Sequence, residues 1–217
     1  AIKEYHPASP GVALDIGAGN GLVSYALANE GWEVTALEPD PSEFVGAGAI
    51  RSIAAIDSLP IHVVEDVGES MPFENDQFDL VTARQVVHHA SDLMQMAREM
   101  ARVLKPGGTL VMFRDHLVDN EADLEEFRRN HPLHDLYGGE NAFRLTQYRS
   151  ALSAAGLTIK HELHQFDSVI NFAPHTKASL CNGVASRLAP EPLRPLVQGL
   201  LAQPWVFNIA GRIASRV

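Results

Sequence analysis

The chain has 217 residues, 46% of them hydrophobic, which is enough apolar material for one globular core with additional elements. Its 27 acidic and 17 basic residues give a formal net charge of −10, so we do not expect nucleic acid as a partner. The single cysteine, Cys181, excludes a disulfide framework, and no targeting pattern follows Ala1; both features predict a cytoplasmic protein.

Strand and helix patterns alternate through the first 116 residues. Short runs rich in β-branched and apolar residues predict five strands, at Val12–Ile16, Glu33–Leu37, His62–Glu65, Phe78–Ala83 and Thr109–Arg114. Apolar residues recur with helical spacing from Leu93 to Leu104, where Ser91 is placed to cap the helix and Pro106 follows its end. This alternation predicts a parallel sheet with helices on both faces.

The pattern changes after residue 116. Helices are predicted over Glu121–Arg129 and from Thr146 to Ala155, the second ending at Gly156, and Leu157–Phe166 predicts a further strand. From Pro174 onward the apolar spacing is helical. Polar residues interrupt the apolar tract Leu193–Val217, so we expect no membrane partner.

No internal repeat or low-complexity linker divides the chain, so residues 1–217 are predicted to form one domain. Residues 11–116 are its predicted cofactor-binding core, and residues 117–145 and 167–217 its substrate cap and helical elaboration. The apolar C-terminal helices are predicted to pack as part of that cap. A homodimer face is the alternative role for them.

The first predicted strand runs into a glycine loop, Asp15-Ile16-Gly17-Ala18-Gly19-Asn20-Gly21. Glycines let the backbone approach a nucleotide, and the next helix offers free N–H groups. The dinucleotide pattern G-x-G-x-x-G would need a glycine at position 22, which is Leu22. A carboxylate at Asp15 repels pyrophosphate but attracts a sulfonium or ammonium group; its alternative role is to cap the turn.

Two further acidic positions follow predicted strands. Glu38 ends the second strand about 20 residues past the loop, where an acid accepts hydrogen bonds from ribose hydroxyls in NAD and adenosylmethionine sites alike. After the third strand, Asp66 is a candidate acceptor for an adenine amino group, and Val67 is a candidate to pack on the ring. Asp66 is equally suited to a turn.

Five stretches, in order, carry a resemblance to a known family: ALDIGAGNG, ALEPD, EDVGESMPFENDQFDLV, ARQVVHHASD and ARVLKPGGTLVM. The sequence resembles the class I S-adenosylmethionine-dependent methyltransferases, and within them the small-molecule subgroup called type 11. The resemblance implies a Rossmann-like, doubly wound α/β fold with a mostly parallel sheet of order 3-2-1-4-5-7-6 and a helical C-terminal cap. It also implies S-adenosylmethionine as cofactor and S-adenosylhomocysteine as product.

The resemblance assigns residues to parts of that cofactor. Gly17, Gly19 and Gly21 are assigned to the methionine and ribose, and Glu38 to the ribose. Asp66 and Val67 are assigned to the adenine, and Arg84 to the methionine end.

Histidines cluster near the predicted ligand side of the sheet. His89 follows the fourth strand, His116 follows the fifth, and His134 lies in a polar loop after the next helix. A histidine near neutral pKa suits a base that deprotonates a hydroxyl, so the predicted reaction is O-methylation of a polar small molecule, with His116 or His134 as base and His89 as a further candidate. No histidine pair with metal-ligand spacing on a helix occurs, and no metal is predicted.

Two other functions remain open from the residues alone. An NAD(P)-dependent oxidoreductase shares the fold and the ribose acid but not the glycine spacing. A cofactor-binding scaffold without catalysis needs only the loop. Neither the identity of the acceptor nor the methylated atom follows from the sequence.

Overall fold

A computed structural model describes residues 2, 9–130, 141–163, 175–203 and 205–207. The chain divides into two compact units, Ile2–Ile159 and Lys160–Val217. Each unit contains its own cluster of buried apolar side chains. That all 217 residues form one domain stays a prediction.

The first unit is built on a parallel sheet of five strands in the order β3-β2-β1-β4-β5. The strands are β1 (Val12–Ile16), β2 (Glu33–Leu37), β3 (Ile61–Val64), β4 (Phe78–Arg84) and β5 (Leu104–Phe113). The five predicted strands are therefore confirmed, and they take the first five places of the order 3-2-1-4-5-7-6. The fifth begins earlier than predicted, at Leu104 and not at Thr109, because α3 ends at Val103 and the strand follows it directly. Within the described ranges no strand takes the last two places.

The helices of the first unit are α1 (Leu22–Asn29), α2 (Ala47–Asp57), α3 (Leu93–Val103), α4 (Glu121–Asn130) and α5 (Leu145–Ala154). The prediction that Ser91 caps α3 is wrong. The Asp92 side chain accepts a hydrogen bond from the Gln95 N–H (3.0 Å), whereas Ser91 donates through its N–H and hydroxyl to Glu69. A carboxylate one residue closer to the helix satisfies its free N–H groups better.

The largest apolar cluster lies between the sheet and α3. Met96 and Met100 of α3 are buried with Phe78 and Val81 of β4, so the helical methionines are core residues, as their spacing predicts. Apolar residues from both faces of β1 and β4 are buried, which is the pattern of a parallel sheet covered on both sides.

The end of α5 confirms one predicted stop and corrects one predicted strand. Gly156 has a φ of +86°, and the Leu157 N–H donates to the Leu152 carbonyl (3.0 Å), which is a glycine-type helix stop. Residues 157–163, however, form no strand, and 164–166 lie outside the described residues. Ile159 and Leu163 are 43% and 39% exposed, because no strand among the described residues pairs with this segment.

Arg102 of α3 holds the segment that follows β3. Its guanidinium donates to the carbonyl oxygens of Met71 (3.0 Å) and Phe73 (2.7 Å) and forms two bonds with Glu99. These bonds to Arg102 lower the pKa of Glu99, which also accepts the Met71 N–H. The loop after β3, which carries the predicted adenine-binding residues, is thereby tied to a core helix.

The second unit contains α6 (Lys177–Leu188) and α7 (Arg194–Ala202). The two helices pack around Cys181, Ala185, Leu201 and Phe207, which confirms helical structure in both segments. In the described part of the chain, no helix is both long and apolar enough to cross a membrane.

Candidate functional site

The glycine loop joins β1 to α1 in a conformation that glycine favours. Gly17, Gly19 and Gly21 have φ values of +58°, +56° and +82°, all in the left-handed region. A Cβ at Gly17 would overlap the Val86 side chain, lying 2.7 Å from its Cβ. At Gly19 the nearest atom would be 3.9 Å away, so this residue presents open backbone. The loop is therefore shaped for close approach of a ligand.

Asp15, at the carboxyl end of β1, is a buried carboxylate with two hydroxyl partners. Its side chain accepts hydrogen bonds from the hydroxyls of Ser24 (2.7 Å) and Thr82 (2.9 Å), and the residue is 1% exposed. Burial raises the pKa of Asp15 from 3.8 to about 6, although both hydroxyls and the charge of Arg84 oppose the shift.

The raised pKa gives Asp15 a defined electrostatic role. Because its folded-state pKa lies above the unfolded value, ionisation of this group costs folding stability progressively as the pH rises from 3.8 through about 6. At neutral pH the buried carboxylate is ionised and only partly compensated. A cation bound near the loop would offset that cost, so the site favours a cationic ligand.

Glu38 lies directly after β2 and contacts the same loop. Its Oε2 accepts the Gly19 N–H at 2.6 Å, and its Oε1 accepts the Asp40 N–H at 3.0 Å. The residue is 7% exposed, and burial raises its pKa although the two N–H groups oppose the shift. Each carboxylate oxygen has remaining acceptor capacity, which is the requirement for binding two ribose hydroxyls.

A cleft joins the loop to the carboxyl end of β4. It is lined by Asp15, Gly17 and Gly19 on one side and by Arg84 and Gln85 on the other. Burial, together with the positive charge of Arg114, lowers the pKa of Arg84. The structure thus brings Asp15, Gly17, Gly19 and Arg84 together as predicted, and Glu38 joins them through its bond to Gly19.

Three further predicted cofactor residues do not line this cleft: Gly21, Asp66 and Val67. Gly21 precedes α1, where its N–H donates to the Ala18 carbonyl (2.9 Å) and its Cα faces Ile50. Asp66 and Val67 follow β3 at the same edge of the sheet, two strands from β1. Asp66 accepts the Val67 N–H (2.8 Å), and the Val67 side chain is 46% exposed and thus accessible to a ligand.

A cluster of histidines lies beyond β4 and β5. His88 is 2% exposed, and Asp115 Oδ1 accepts both its backbone N–H (3.1 Å) and its Nδ1–H (2.9 Å). The His116 ring stands edge-to-face against His88 with centroids 4.6 Å apart, and it also contacts Phe127 at 4.8 Å. The Tyr148 hydroxyl donates to the His116 carbonyl (3.2 Å). His116 is therefore held in place from three sides.

Asp115 has an unusual second oxygen. Within the described ranges, its Oδ2 is the sole buried side-chain nitrogen or oxygen without a hydrogen-bond partner. Burial, followed by the charge of Asp115, raises the pKa of Tyr148. Because Asp115 Oδ1 already accepts the backbone N–H of His88, it is assigned as the acceptor for the ring as well, with the His88 Nδ1–H as donor.

The three predicted catalytic histidines have different outcomes. His116 is partly buried in the cluster, and His89 is exposed with its ring 4.0 Å from that of His88. His134 lies outside the described residues. Among the residues that the structure describes, no group of three His, Cys, Asp or Glu side chains is arranged to hold a metal ion.

Sequence reasoning did not identify several residues of the site. Ser24 and Thr82 bind Asp15 from positions 9 and 67 residues away, and no local pattern marks them. Gln85 lines the cleft with a φ of +51°, which is uncommon for a residue other than glycine. His88, the neighbour of the predicted candidate His89, is the histidine that Asp115 binds.

Comparison with known proteins connects this geometry to a family. Residues 14–112 match the family model described as "Methyltransferase domain". The chain is 32% identical over 122 residues to the uncharacterized methyltransferase YcgJ of Bacillus subtilis (strain 168), covering 52% of this chain and 44% of the relative. It is 37% identical over 108 residues to a ubiquinone biosynthesis O-methyltransferase of Xanthomonas campestris, covering 48% and 44% of the two chains.

The match therefore spans less than half the length of these two relatives, 44% of each. The crystal structure of the B. subtilis YcgJ protein superposes with a TM-score of 0.59 at 29% identity, covering 68% of this chain and 62% of that one. The sheet order and the glycine loop agree with the sequence matches, and residues 14–112 of this chain are a methyltransferase domain of the class I, S-adenosylmethionine-dependent kind.

Proposed function

We propose that this chain binds S-adenosylmethionine in the loop cleft and transfers its methyl group to a hydroxyl of a polar small molecule. The observation that carries the proposal is the pair of buried acids around the glycine loop. Glu38 accepts a hydrogen bond from the Gly19 N–H. Asp15 is a buried carboxylate, and a cation bound nearby would stabilise its charged form. An acid in the place of Glu38 occurs in NAD sites as well, so the discrimination comes from Asp15. Because its buried carboxylate repels a phosphate group and attracts a cation, a phosphate-free cationic cofactor fits this site best.

The cofactor would be held by residues already in position. Backbone of Gly17 and Gly19 would approach the methionine and ribose, Glu38 would accept the ribose hydroxyls, and Asp15 would act electrostatically on the positive end. Asp66 and Val67 are proposed for the adenine. When bound, the cofactor supplies an electrophilic methyl group on a sulfonium, and S-adenosylhomocysteine is the proposed product.

On the acceptor side the chain must orient a hydroxyl and accept its proton. His116 is the proposed base: its ring is fixed by contacts to His88 and Phe127, and its carbonyl by Tyr148. A fixed imidazole aligns the oxygen for in-line attack and takes the proton as the new C–O bond forms. His134 remains a second candidate for the same role, and exposed His89 a third.

Methyl transfer can be tested with S-adenosylmethionine labelled in its methyl group and a panel of hydroxylated acids, phenols, polyols and amines. We expect the label on oxygen in the product, as determined by mass spectrometry and NMR. Label on nitrogen or carbon alone, or no transfer to any hydroxyl acceptor, would contradict the proposed O-methylation.

With an acceptor identified, replacing His116 by alanine should lower kcat by about 100-fold or more, because general-base catalysis contributes that much. The affinity for S-adenosylhomocysteine should stay within about twofold of the wild-type value. His62→Ala is a matched control, since His62 is exposed on β3 and contributes to no part of the site. Equal kcat values for the wild type and H116A would remove His116 from the mechanism.

A further inference from the structure

Two arginines lie at the carboxyl ends of neighbouring strands of the sheet. Arg84 is the last residue of β4, Arg114 directly follows β5, and the strand register sets Arg84 opposite Phe113. Both residues are partly buried. In the described part of the chain, neither guanidinium forms a hydrogen bond or a salt bridge, although Arg102 and Arg51 do. Two like charges placed together and partly desolvated attract an anion.

The backbone at this edge is held in an uncommon conformation. Gln85, after β4, has a φ of +51°, and Arg114, after β5, has a φ of +63°. Left-handed backbone is unfavourable for residues other than glycine, asparagine and aspartate. Such conformations concentrate at functional sites, and here the two occur at equivalent places on adjacent strands. The Gln85 N–H donates to the Phe113 carbonyl (3.1 Å), which joins the two turns.

Arg114 lies beyond the Arg84 end of the cleft, on the side away from the glycine loop. The sheet order is β1-β4-β5, and neighbouring strands are about 4.8 Å apart, so Arg114 lies two strands from the glycine loop. Arg84 lies between them: it lines the cleft with Asp15 and also interacts electrostatically with Arg114. In the proposed function the cofactor occupies the glycine-loop end of the cleft, and Arg114 lies beyond the opposite end.

We propose that Arg114, together with Arg84, binds a carboxylate of the methyl acceptor. The inference rests on the proposed function and deepens it, because it makes the acceptor a hydroxylated carboxylic acid. Two guanidinium groups present several parallel N–H donors, which match the two oxygens of a carboxylate. Binding at this point anchors the acceptor by its charge, while its hydroxyl extends toward the transferable methyl group and His116.

The methionine part of the cofactor also carries a carboxylate. The first measurement therefore tests whether the arginine pair binds the carboxylate of the cofactor or that of the acceptor. Calorimetry compares S-adenosylhomocysteine with its decarboxylated analogue, 5′-(3-aminopropyl)thioadenosine, in the wild type and in Arg114→Gln. We expect R114Q to bind both compounds within about twofold of the wild type. Selective loss of S-adenosylhomocysteine affinity in R114Q would assign the pair to the cofactor and overturn the proposal.

The second measurement uses carboxylate probes on the complex with S-adenosylhomocysteine. Glycolate, salicylate and 4-hydroxybenzoate are titrated beside the neutral 4-hydroxybenzamide. We expect at least one carboxylate to bind and to lose at least about tenfold in affinity in R114Q, the usual effect of removing a charge-assisted hydrogen bond. The amide should bind no better to the wild type than to R114Q. Arg98→Gln, an exposed arginine of α3, is the matched control and should change neither affinity.

Two outcomes would overturn the proposal: no carboxylate binds the wild-type complex, or R114Q binds the carboxylates as well as the wild type does. If S-adenosylhomocysteine still binds and methyl transfer to neutral hydroxyl acceptors persists, this inference alone fails. If the wild type does not bind S-adenosylhomocysteine, the proposed function fails instead.

Discussion

Replacing Gly17 with alanine should lower the free energy of unfolding by about 2–5 kcal/mol, because two costs add at this residue. A side chain at φ +58° is in the unfavourable left-handed region, and the new Cβ would overlap the Val86 side chain. Val86 precedes the turn that carries His88, so relief of the overlap would displace both the loop and the β4 end of the cleft. Denaturant unfolding measures the change.

Gly107→Ala is the matched control for this variant. Gly107 has a φ of +80°, but a Cβ there would have no atom within 4 Å, so the substitution carries the backbone cost without the overlap. We expect a loss of about 1–2 kcal/mol for this control. If G17A were no more destabilising than G107A, the close contact between the loop and Val86 would not exist as described.

Replacing Glu38 with alanine should weaken S-adenosylhomocysteine binding by about 100-fold or more. The variant removes the acceptor for two ribose hydroxyls, and each hydrogen bond to a charged group contributes about 1.5–3 kcal/mol. It also leaves the Gly19 N–H, now bonded to Glu38 at 2.6 Å, without its partner, so the loop loses a constraint. Isothermal titration calorimetry measures the affinity.

Two further variants separate the local role of Glu38 from general charge. Glu33→Ala removes an exposed acid from the other end of β2 and should leave the affinity unchanged. Glu38→Gln keeps one acceptor oxygen and should fall between the wild type and E38A. An affinity in E38A within about threefold of the wild type would exclude the ribose role of Glu38.

The sheet and its loop were predictable because their signals are local. Each strand is a short apolar run, and the run Val12–Ile16 ends at a loop whose glycines recur at fixed spacing. Gly156 likewise marked the end of α5, since a left-handed residue at a helix end favours glycine. The strand predicted over Leu157–Phe166 is wrong for residues 157–163, because alternating apolar residues form a strand only where a partner strand is available.

The contacts inside the site could not be predicted, because they join residues far apart in the chain. The Asp15–Thr82 bond spans 67 residues and the His88–Asp115 bond spans 27, and neither spacing has a sequence pattern. The sequence also does not show how deeply a side chain is buried. It identifies Asp15 as an acidic residue at the loop, but the raised pKa of Asp15 follows from packing around β1. The left-handed backbone at Arg114 is also a tertiary property.

Binding of S-adenosylmethionine in the loop cleft is tested most directly by calorimetry with S-adenosylhomocysteine and with NAD. The spacing of Gly17, Gly19 and Gly21 and the buried Asp15 predict saturable one-to-one binding of S-adenosylhomocysteine by the wild type. They also predict strong loss of that binding in E38A and no measurable binding of NAD. Binding of NAD without binding of S-adenosylhomocysteine would contradict the assignment of this cleft to S-adenosylmethionine.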